Sequence, residues 1–274
     1  MTDAHHRAAI AERAARAGGV VAREQFQTAV AIETKSDKTD LVTQADRDAQ
    51  QQVVATIREE FPNDRFVCEE DSPQLSGPES EAPAQVDSVP ANGSAWIVDP
   101  IDGTTNFVRG SRAWTTSVTA VVDGEPVGSA TYMPAMGDLY AAGPESVTRD
   151  GETMTVSERD DPETFLAAIT NRWEDPAAFG DICHATGEAF ADVRRLGSFQ
   201  ATLAQLADGG FETAVCTRRA NAWDTVAGVH MVRVAGGTVT DVHGDRWEHD
   251  SEGVVASNGA DHEAVLSAVQ AALD

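Results

Sequence analysis

Two aspartates stand three residues apart in the segment Trp96-Ile97-Val98-Asp99-Pro100-Ile101-Asp102-Gly103-Thr104-Thr105-Asn106-Phe107. The nearly all-apolar run 95–98 reads as a buried strand that delivers Asp99 to its carboxyl end. Pro100 fixes φ for a tight turn, and Asp102 returns to the same point. Gly103 permits close backbone approach, and Thr104-Thr105 open a short helix whose first N–H groups suit an anion. Two carboxylates beside an anion cradle imply a divalent cation that joins protein to phosphate. Hard cations such as Mg²⁺ take oxygen ligands at about 2.0–2.1 Å and are held by a few carboxylates plus substrate phosphate.

Further carboxylates stand at suggestive places. Glu69-Glu70 follow a short strand ending at Cys68, and Trp223-Asp224 opens a helix after the polar stretch 217–221. Taken alone, Glu-Glu is usually a solvated pair and Asp224 suits a helix cap. Other chemistries lack their signatures. There is no G-x-x-x-x-G-K-[ST] or G-x-G-x-x-G phosphate loop, no internal repeat, and no serine or cysteine in a G-x-S-x-G or Cys-His setting. Asp99 to Gly103 also lacks the acids and terminal Glu of an EF-hand loop. His243 and His249, in a polar turn, read as surface residues.

The elements that must position these acids follow from periodicity. Residues 3–33 place Ile10, Ala14, Ala17 and Val21 at helical spacing and predict a long helix with a soft point at Gly18-Gly19. A second helix starts after the N-cap Thr43 and runs until Pro62. Residues 65–68 read as a strand, and the Pro-, Ser- and acid-rich stretch 71–94 as a surface loop, or a flap over the site. Segments 115–122 and 126–133 flank Asp123-Gly124, a hairpin signal, and Asp150-Gly151 marks another turn. Beyond about residue 140, strands and helices alternate: 165–170, 176–190, 191–196, 199–208, 211–215, 224–235 and 237–242. That alternation predicts sheets sandwiched between helices, an α/β (α+β) class.

The chain has 274 residues and a formal charge of −25, with 41% apolar residues, enough for a substantial core. The acid excess argues against a nucleic-acid partner, because duplex affinity rests on basic side chains that displace counterions. Charge-free stretches reach 12 residues, at 126–137 and 196–207, short of the roughly 20 needed to span a bilayer. The N-terminus has no unbroken apolar run of the secretory type, and the cytoplasm is expected. Cys68, Cys183 and Cys216, widely spaced, are expected as reduced buried thiols. Basic residues comprise 18 arginines and only two lysines, Lys35 and Lys38. An acid excess this large repels itself in dilute buffer, whereas molar salt shrinks the Debye length to about 3 Å. A high-salt cytoplasm is therefore expected. An acidic face for a basic partner fits less well, because the acids are spread along the whole chain.

In combination the blocks are specific. Lys35, Asp40-Leu41-Val42-Thr43-x-x-Asp46, Phe66-Val67-Cys68-Glu69-Glu70, Trp96 to Phe107, Gly197-Ser198 and Trp223-Asp224-x-x-Ala227-Gly228 closely resemble the inositol monophosphatase family. They occur in family order over about residues 5–270. With the acid-rich composition, the resemblance points to an archaeal inositol monophosphatase/fructose-1,6-bisphosphatase type from a halophile. It implies a layered αβαβα sandwich of the sugar-phosphatase type. Its two halves, 1–140 with Glu69 and the Asp99 block and 141–274 with Gly197-Ser198 and Asp224, would form one catalytic unit. It further implies Mg²⁺-dependent hydrolysis of small phosphate monoesters with two or three ions per site. Glu69, Asp99, the Ile101 carbonyl, Asp102 and Asp224 would hold metal, and Glu69 and Thr104 would orient water, with Asp46 accepting a hydrogen bond from Thr104. Gly103, Thr104, Thr105, Gly197, Ser198, Lys35 and Arg218 would contact phosphate or substrate. A homodimer is implied too.

The sequence departs from the family pattern at three places. Cys68 precedes Glu69 where glycine is common, and its oxidation would perturb the site. Phe199-Gln200 follow Gly197-Ser198 where small residues are usual, which predicts a changed substrate shape. Thr217 replaces an acid that binds ring hydroxyls, and Arg218-Arg219 next to it suit a second phosphate. Inositol monophosphate and fructose 1,6-bisphosphate are both expected as substrates. A nucleotide 3′-phosphatase and a noncatalytic metal-binding regulatory homologue stand as alternatives.

Overall fold

The computed structural model describes residues 3–28, 32–34, 41–71, 84–170 and 176–273. Lys35 and Lys38 lie outside these residues, as do residues 72–83 of the predicted flap. Five layers alternate, helix, sheet, helix, sheet, helix, as expected.

Helices α1 (Asp3–Gln25) and α2 (Gln44–Arg58) form the first layer. α1 stops at Gln25, short of the predicted residue 33, and passes through Gly18-Gly19 without a break. The two glycines are a crossing point. A Cβ on Gly18 would stand 2.4 Å from Val53 Cγ2 of α2, and one on Gly19 2.5 Å from the Tyr132 ring. Close approach of α1 to both neighbours requires the missing side chains. A short hairpin, β1 (Ile32–Thr34) with β2 (Leu41–Thr43), joins α1 to α2.

The second layer is a seven-stranded sheet in sequential order: β3 (Arg65–Cys68), β4 (Ser94–Asp102), β5 (Thr115–Val122), β6 (Glu125–Met133), β7 (Asp138–Ala142), β8 (Val147–Arg149) and β9 (Glu152–Thr153). Only β3 and β4 pair in parallel; the others are antiparallel neighbours. The alternation of strand side chains divides β4 between two cores. Trp96 and Val98 pack with Ile10, Ala14 and Val53 on the α1–α2 side. Ala95 and Ile97 face the central layer with Leu203, Leu206 and Val229.

That central layer holds α5 (Phe199–Ala207) and α6 (Ala222–Val234). Both helices are buried nearly all round, as a layer between two sheets must be. Beyond lies a five-stranded sheet, β11 (Asp192–Arg194), β10 (Leu166–Ile169), β12 (Thr213–Cys216), β14 (Val254–Ser257) and β13 (Thr238–Thr240), in that spatial order. α4 (Pro176–Ala189) and α7 (His262–Ala271) cover its outer face over Phe165, Ile169, Val215 and Val255. The chain passes from one sheet to the other between Thr153 and Leu166.

Two readings change. The part of the 71–94 stretch that is described is anchored rather than free. Phe66 N donates to Ala84 O at 2.7 Å, Val86 N to Phe66 O at 2.8 Å, and Val89 is buried. Of the three free cysteines, Cys183 is only half-buried. No helix among the described residues is long and apolar enough to cross a membrane.

Candidate functional site

The acids of the central motif converge through a bulge, where a turn was expected. β4 continues through Pro100 to Asp102, and its register with β5 slips between the pairs Asp99–Ser117 and Asp102–Thr115. Side chains alternate along a strand, so residues an odd number apart point to opposite faces. One inserted residue corrects the count, and Asp99 and Asp102 face the same side. Thr116 Oγ1 donates to Pro100 O at 2.7 Å and fastens the bulge.

Gly103 then turns the chain with φ at +90° into the single turn α3 (Thr104–Val108). A Cβ on Gly103 would meet Gly197 O at 3.1 Å and Ala113 O at 3.2 Å. Gly197, at φ +82°, is close-packed in turn against Asn106, whose amide donates to Ala113 O at 2.6 Å and Leu196 O at 2.8 Å. The expected juxtaposition of the Asp99 block with Gly197-Ser198 is thus made by backbone contact that only glycine permits on both sides.

Ser198 caps α5, accepting from Ala201 N at 3.1 Å, and donates its own proton to Asp102 Oδ2 at 2.6 Å. Gln200 N donates to the same oxygen at 2.7 Å. The Ser198 hydroxyl is buried and holds the Asp102 carboxylate. Phe199 and Gln200 are buried as well. Phe199 joins the central core.

Asp224 stands in the first turn of α6, where the helix dipole favours an anion. Asn221 Nδ2 donates to its Oδ2 at 3.0 Å. Carboxylate oxygens of Asp99, Asp102 and Asp224 lie within 4.8 Å of one another. A second group, Asp46, Glu69 and Glu70, meets the same limit. Glu69 N donates to Val98 O at 3.1 Å, which sets Glu69 beside Asp99.

Electrostatics join the two groups. Burial, then the neighbouring Glu69, Asp102 and Asp224, push the Asp99 carboxyl well above its usual range. Asp102 is pushed up to about 7 by burial and Asp224, against hydrogen bonds from Ser198, Gln200 and Phe199 that favour its charged form. Asp99 Oδ1 is buried with no hydrogen-bond partner. A set of hard oxygen donors, mutually repelling and including a buried acceptor without a donor, fits a divalent cation.

Two expected details differ. Thr104 Oγ1 donates to Ile101 O at 3.1 Å, so the donation expected toward Asp46 is not made. Asp46 Oδ2 instead accepts from Thr43 N at 2.8 Å and Thr43 Oγ1 at 2.6 Å, in the capping box of α2. Cys68 is buried, and burial pushes its thiol up to about 12. A buried thiol held in its protonated form is a poor target for the oxidation that would perturb the site.

Thr105 is exposed and Arg218 half-buried, on the connection from β12 to α6. Arg194 is ion-paired with Asp192, and the Arg195 guanidinium lies 6.0 Å from the Phe179 ring centroid. His243 is exposed, 3.2 Å from Glu252, and His249 is half-buried.

Two glutamines were not singled out from the sequence as positioning groups. Gln50 Nε2 donates to Glu70 O at 2.6 Å and its Oε1 accepts from Glu70 N at 3.0 Å, pinning the Glu69-Glu70 backbone to α2. Gln200 links α5 to α6. A signal existed for the first: Asp46 and Gln50 stand four apart on the apolar face marked by Ala45, Ala49 and Val53, polar residues at core positions.

Comparison with known proteins agrees with this geometry. The model of the inositol monophosphatase family matches residues 3–274. A fructose-1,6-bisphosphatase/inositol-1-monophosphatase of Thermotoga maritima is 31% identical over 239 residues, covering 87% of this chain and 86% of its own. The Nus factor SuhB of Escherichia coli is 28% identical over 267 residues, 94% of this chain and 93% of its own. A solved Thermotoga maritima IMPase superposes with a TM-score of 0.84 at 28% identity, covering 96% of each chain.

Proposed function

Because the chain belongs to the inositol monophosphatase family, we propose that it hydrolyses small phosphate monoesters, inositol monophosphate and fructose 1,6-bisphosphate among them, with Mg²⁺. The observation that carries this reading is the convergence of Glu69, Asp99, Asp102 and Asp224 around a buried Asp99 oxygen that no protein donor satisfies. These four carboxylates and the Ile101 carbonyl would hold two or three ions. When bound, Mg²⁺ supplies the positive charge that offsets repulsion between a nucleophile and a phosphate dianion and stabilises the leaving alkoxide.

The residues divide the remaining work. Glu69 stands beside Asp99 and takes the proton of the attacking water. The Thr104 hydroxyl, donating to Ile101 O, keeps lone pairs with which to accept a hydrogen bond from that water and orient it. Gly103, Thr104 and Thr105 lie where backbone N–H groups without intrahelical partners face an anion. Asp46 caps the start of α2 near Glu69, and Lys35 precedes it as the family's lysine. Arg218 and Arg219 suit the second phosphate of a bisphosphate by bidentate hydrogen bonds. The halves 1–140 and 141–274 act as one unit, since Ser198 and Gln200 of the second hold Asp102 of the first. A high-salt cytoplasm is the setting that the charge of −25 fits, and a homodimer the assembly.

The test is phosphate release in molar KCl, with and without Mg²⁺, from inositol 1-phosphate, fructose 1,6-bisphosphate and a 3′-phosphonucleotide. Mg²⁺-dependent release from the first two, abolished by Asp99→Asn with the fold retained, is expected. Strict preference for the nucleotide would replace the substrate reading. Release undiminished in Asp99→Asn would overturn the ligand set, and absence of release would favour a noncatalytic metal-binding regulator.

A further inference from the structure

We infer that Gln200 is a positioning residue that fixes the distance between Asp102 and Asp224, and so sets the affinity of the site for its cation. The inference rests on the proposed ligand role of those two acids. Gln200 is completely buried at the start of α5 and makes three hydrogen bonds. Its backbone N donates to Asp102 Oδ2 at 2.7 Å. Its amide Nε2 donates to Trp223 O at 2.5 Å, and its Oε1 accepts from Gly228 N at 2.8 Å. Trp223 precedes Asp224, and Gly228 lies one helical turn after it. One side chain therefore grips the first turn of α6 at both ends, while its own peptide holds the partner carboxylate.

The packing leaves this grip no slack. A Cβ on Gly228 would stand 2.4 Å from Leu203 Cβ and 3.0 Å from Gln200 Oε1. α5 and α6 thus meet at a glycine, and the amide spans the gap that remains. Asp224 also accepts the exposed bond from Asn221 Nδ2, at a helix end that frays readily. A buried amide bound at both of its ends resists that fraying, since breaking either bond strands a buried polar group. Ser198 caps α5 and donates to the same Asp102 oxygen, so the start of α5 is fixed independently. Gln200 carries that fixed point across to α6.

The experiment measures binding of Mg²⁺ alone by calorimetry to the full-length protein in molar KCl. The variants are Gln200→Met, which keeps the volume, and Gln200→Ala, which admits water. Leu206→Ala, a buried core change on α5 away from both acids, controls for loss of stability. Both Gln200 variants are expected to bind Mg²⁺ about tenfold more weakly. Leu206→Ala, melting no higher than they do, should bind like the wild type. At saturating Mg²⁺ the KM for substrate should stay within about twofold. A second readout needs no cation: amide exchange over 222–228 in the metal-free protein should accelerate at least tenfold in Gln200→Ala, with the rest of α6 unchanged. Wild-type Mg²⁺ affinity in either folded Gln200 variant, or exchange raised evenly along α6, would overturn the inference. Failure of the wild type itself to bind Mg²⁺ would instead sink the ligand reading beneath it.

Discussion

The Ser198 hydroxyl donates to Asp102 Oδ2 across 2.6 Å, joining residues 96 apart in the chain. The same oxygen atom of Ser198 accepts from Ala201 N, so a helix cap and a carboxylate clamp are one group. The hydrogen bond to a charged oxygen contributes about 1.5–3 kcal/mol. Ser198→Ala is therefore expected to lose about 2 kcal/mol or more in denaturant unfolding. At saturating Mg²⁺ its turnover should stay within about tenfold of wild type, because the hydroxyl is engaged by Asp102 and Ala201. A variant as stable as wild type but without turnover would return Ser198 to the phosphate.

The buried His230 ring, with Nδ1 2.9 Å from Ser129 Oγ, gives a pH signature apart from the acids. Burial first, then Arg233, pushes its pKa down to about 4, whereas an unfolded histidine titrates near 6.5. Below pH 6.5 the unfolded chain gains a proton that the folded one refuses. The contribution of neutral His230 is complete above about 6.5 and is lost as pH falls toward 4, amounting to about 3 kcal/mol. Asp99 and Asp102, raised in the metal-free fold, act with the opposite sign in wild type and variant alike. Denaturant midpoints of wild type and His230→Asn between pH 4 and 7 should therefore converge as pH falls. Parallel curves would contradict this account of the ring.

Salt dependence tests the reading of the composition. Acids such as Glu158, Asp160 and Asp161 stand exposed side by side, and the chain carries −25 in all. Raising KCl from 0.1 to 2 M shortens the screening length to a few ångströms and should raise the urea midpoint steadily. A midpoint that is flat or falls would remove self-repulsion as a controlling term and, with it, the high-salt setting.

The layered architecture was legible because its signals are local. Asp123-Gly124 marked the β5–β6 hairpin, Thr43 the start of α2, and the alternation after residue 140 the second sheet and its helices. The acids that come together were legible because they stand in short, specific blocks. What escaped depended on distance in space. The bulge at Pro100 exists only in the register of β4 against β5. Gly18-Gly19 read as a weakness until Val53 and Tyr132 were packed against them. Gln200, a polar residue in an apolar run, has meaning only once Trp223 and Gly228 lie alongside. Ser198 stood out by its block, but its bond to Asp102, 96 residues away, shows only in the folded chain.

The central claim is that Glu69, just after β3, and acids of β4 and α6 enclose divalent ions. Crystals soaked with Mn²⁺, with anomalous scattering recorded at its absorption edge, test it most directly. The account predicts peaks bounded by Glu69, Asp99, Asp102 and Asp224, with Asp99 Oδ1 in contact and the Asp99→Asn crystal losing at least one. Ions found elsewhere on the acidic surface, with Asp224 turned away from Asp99 and Asp102, would contradict it.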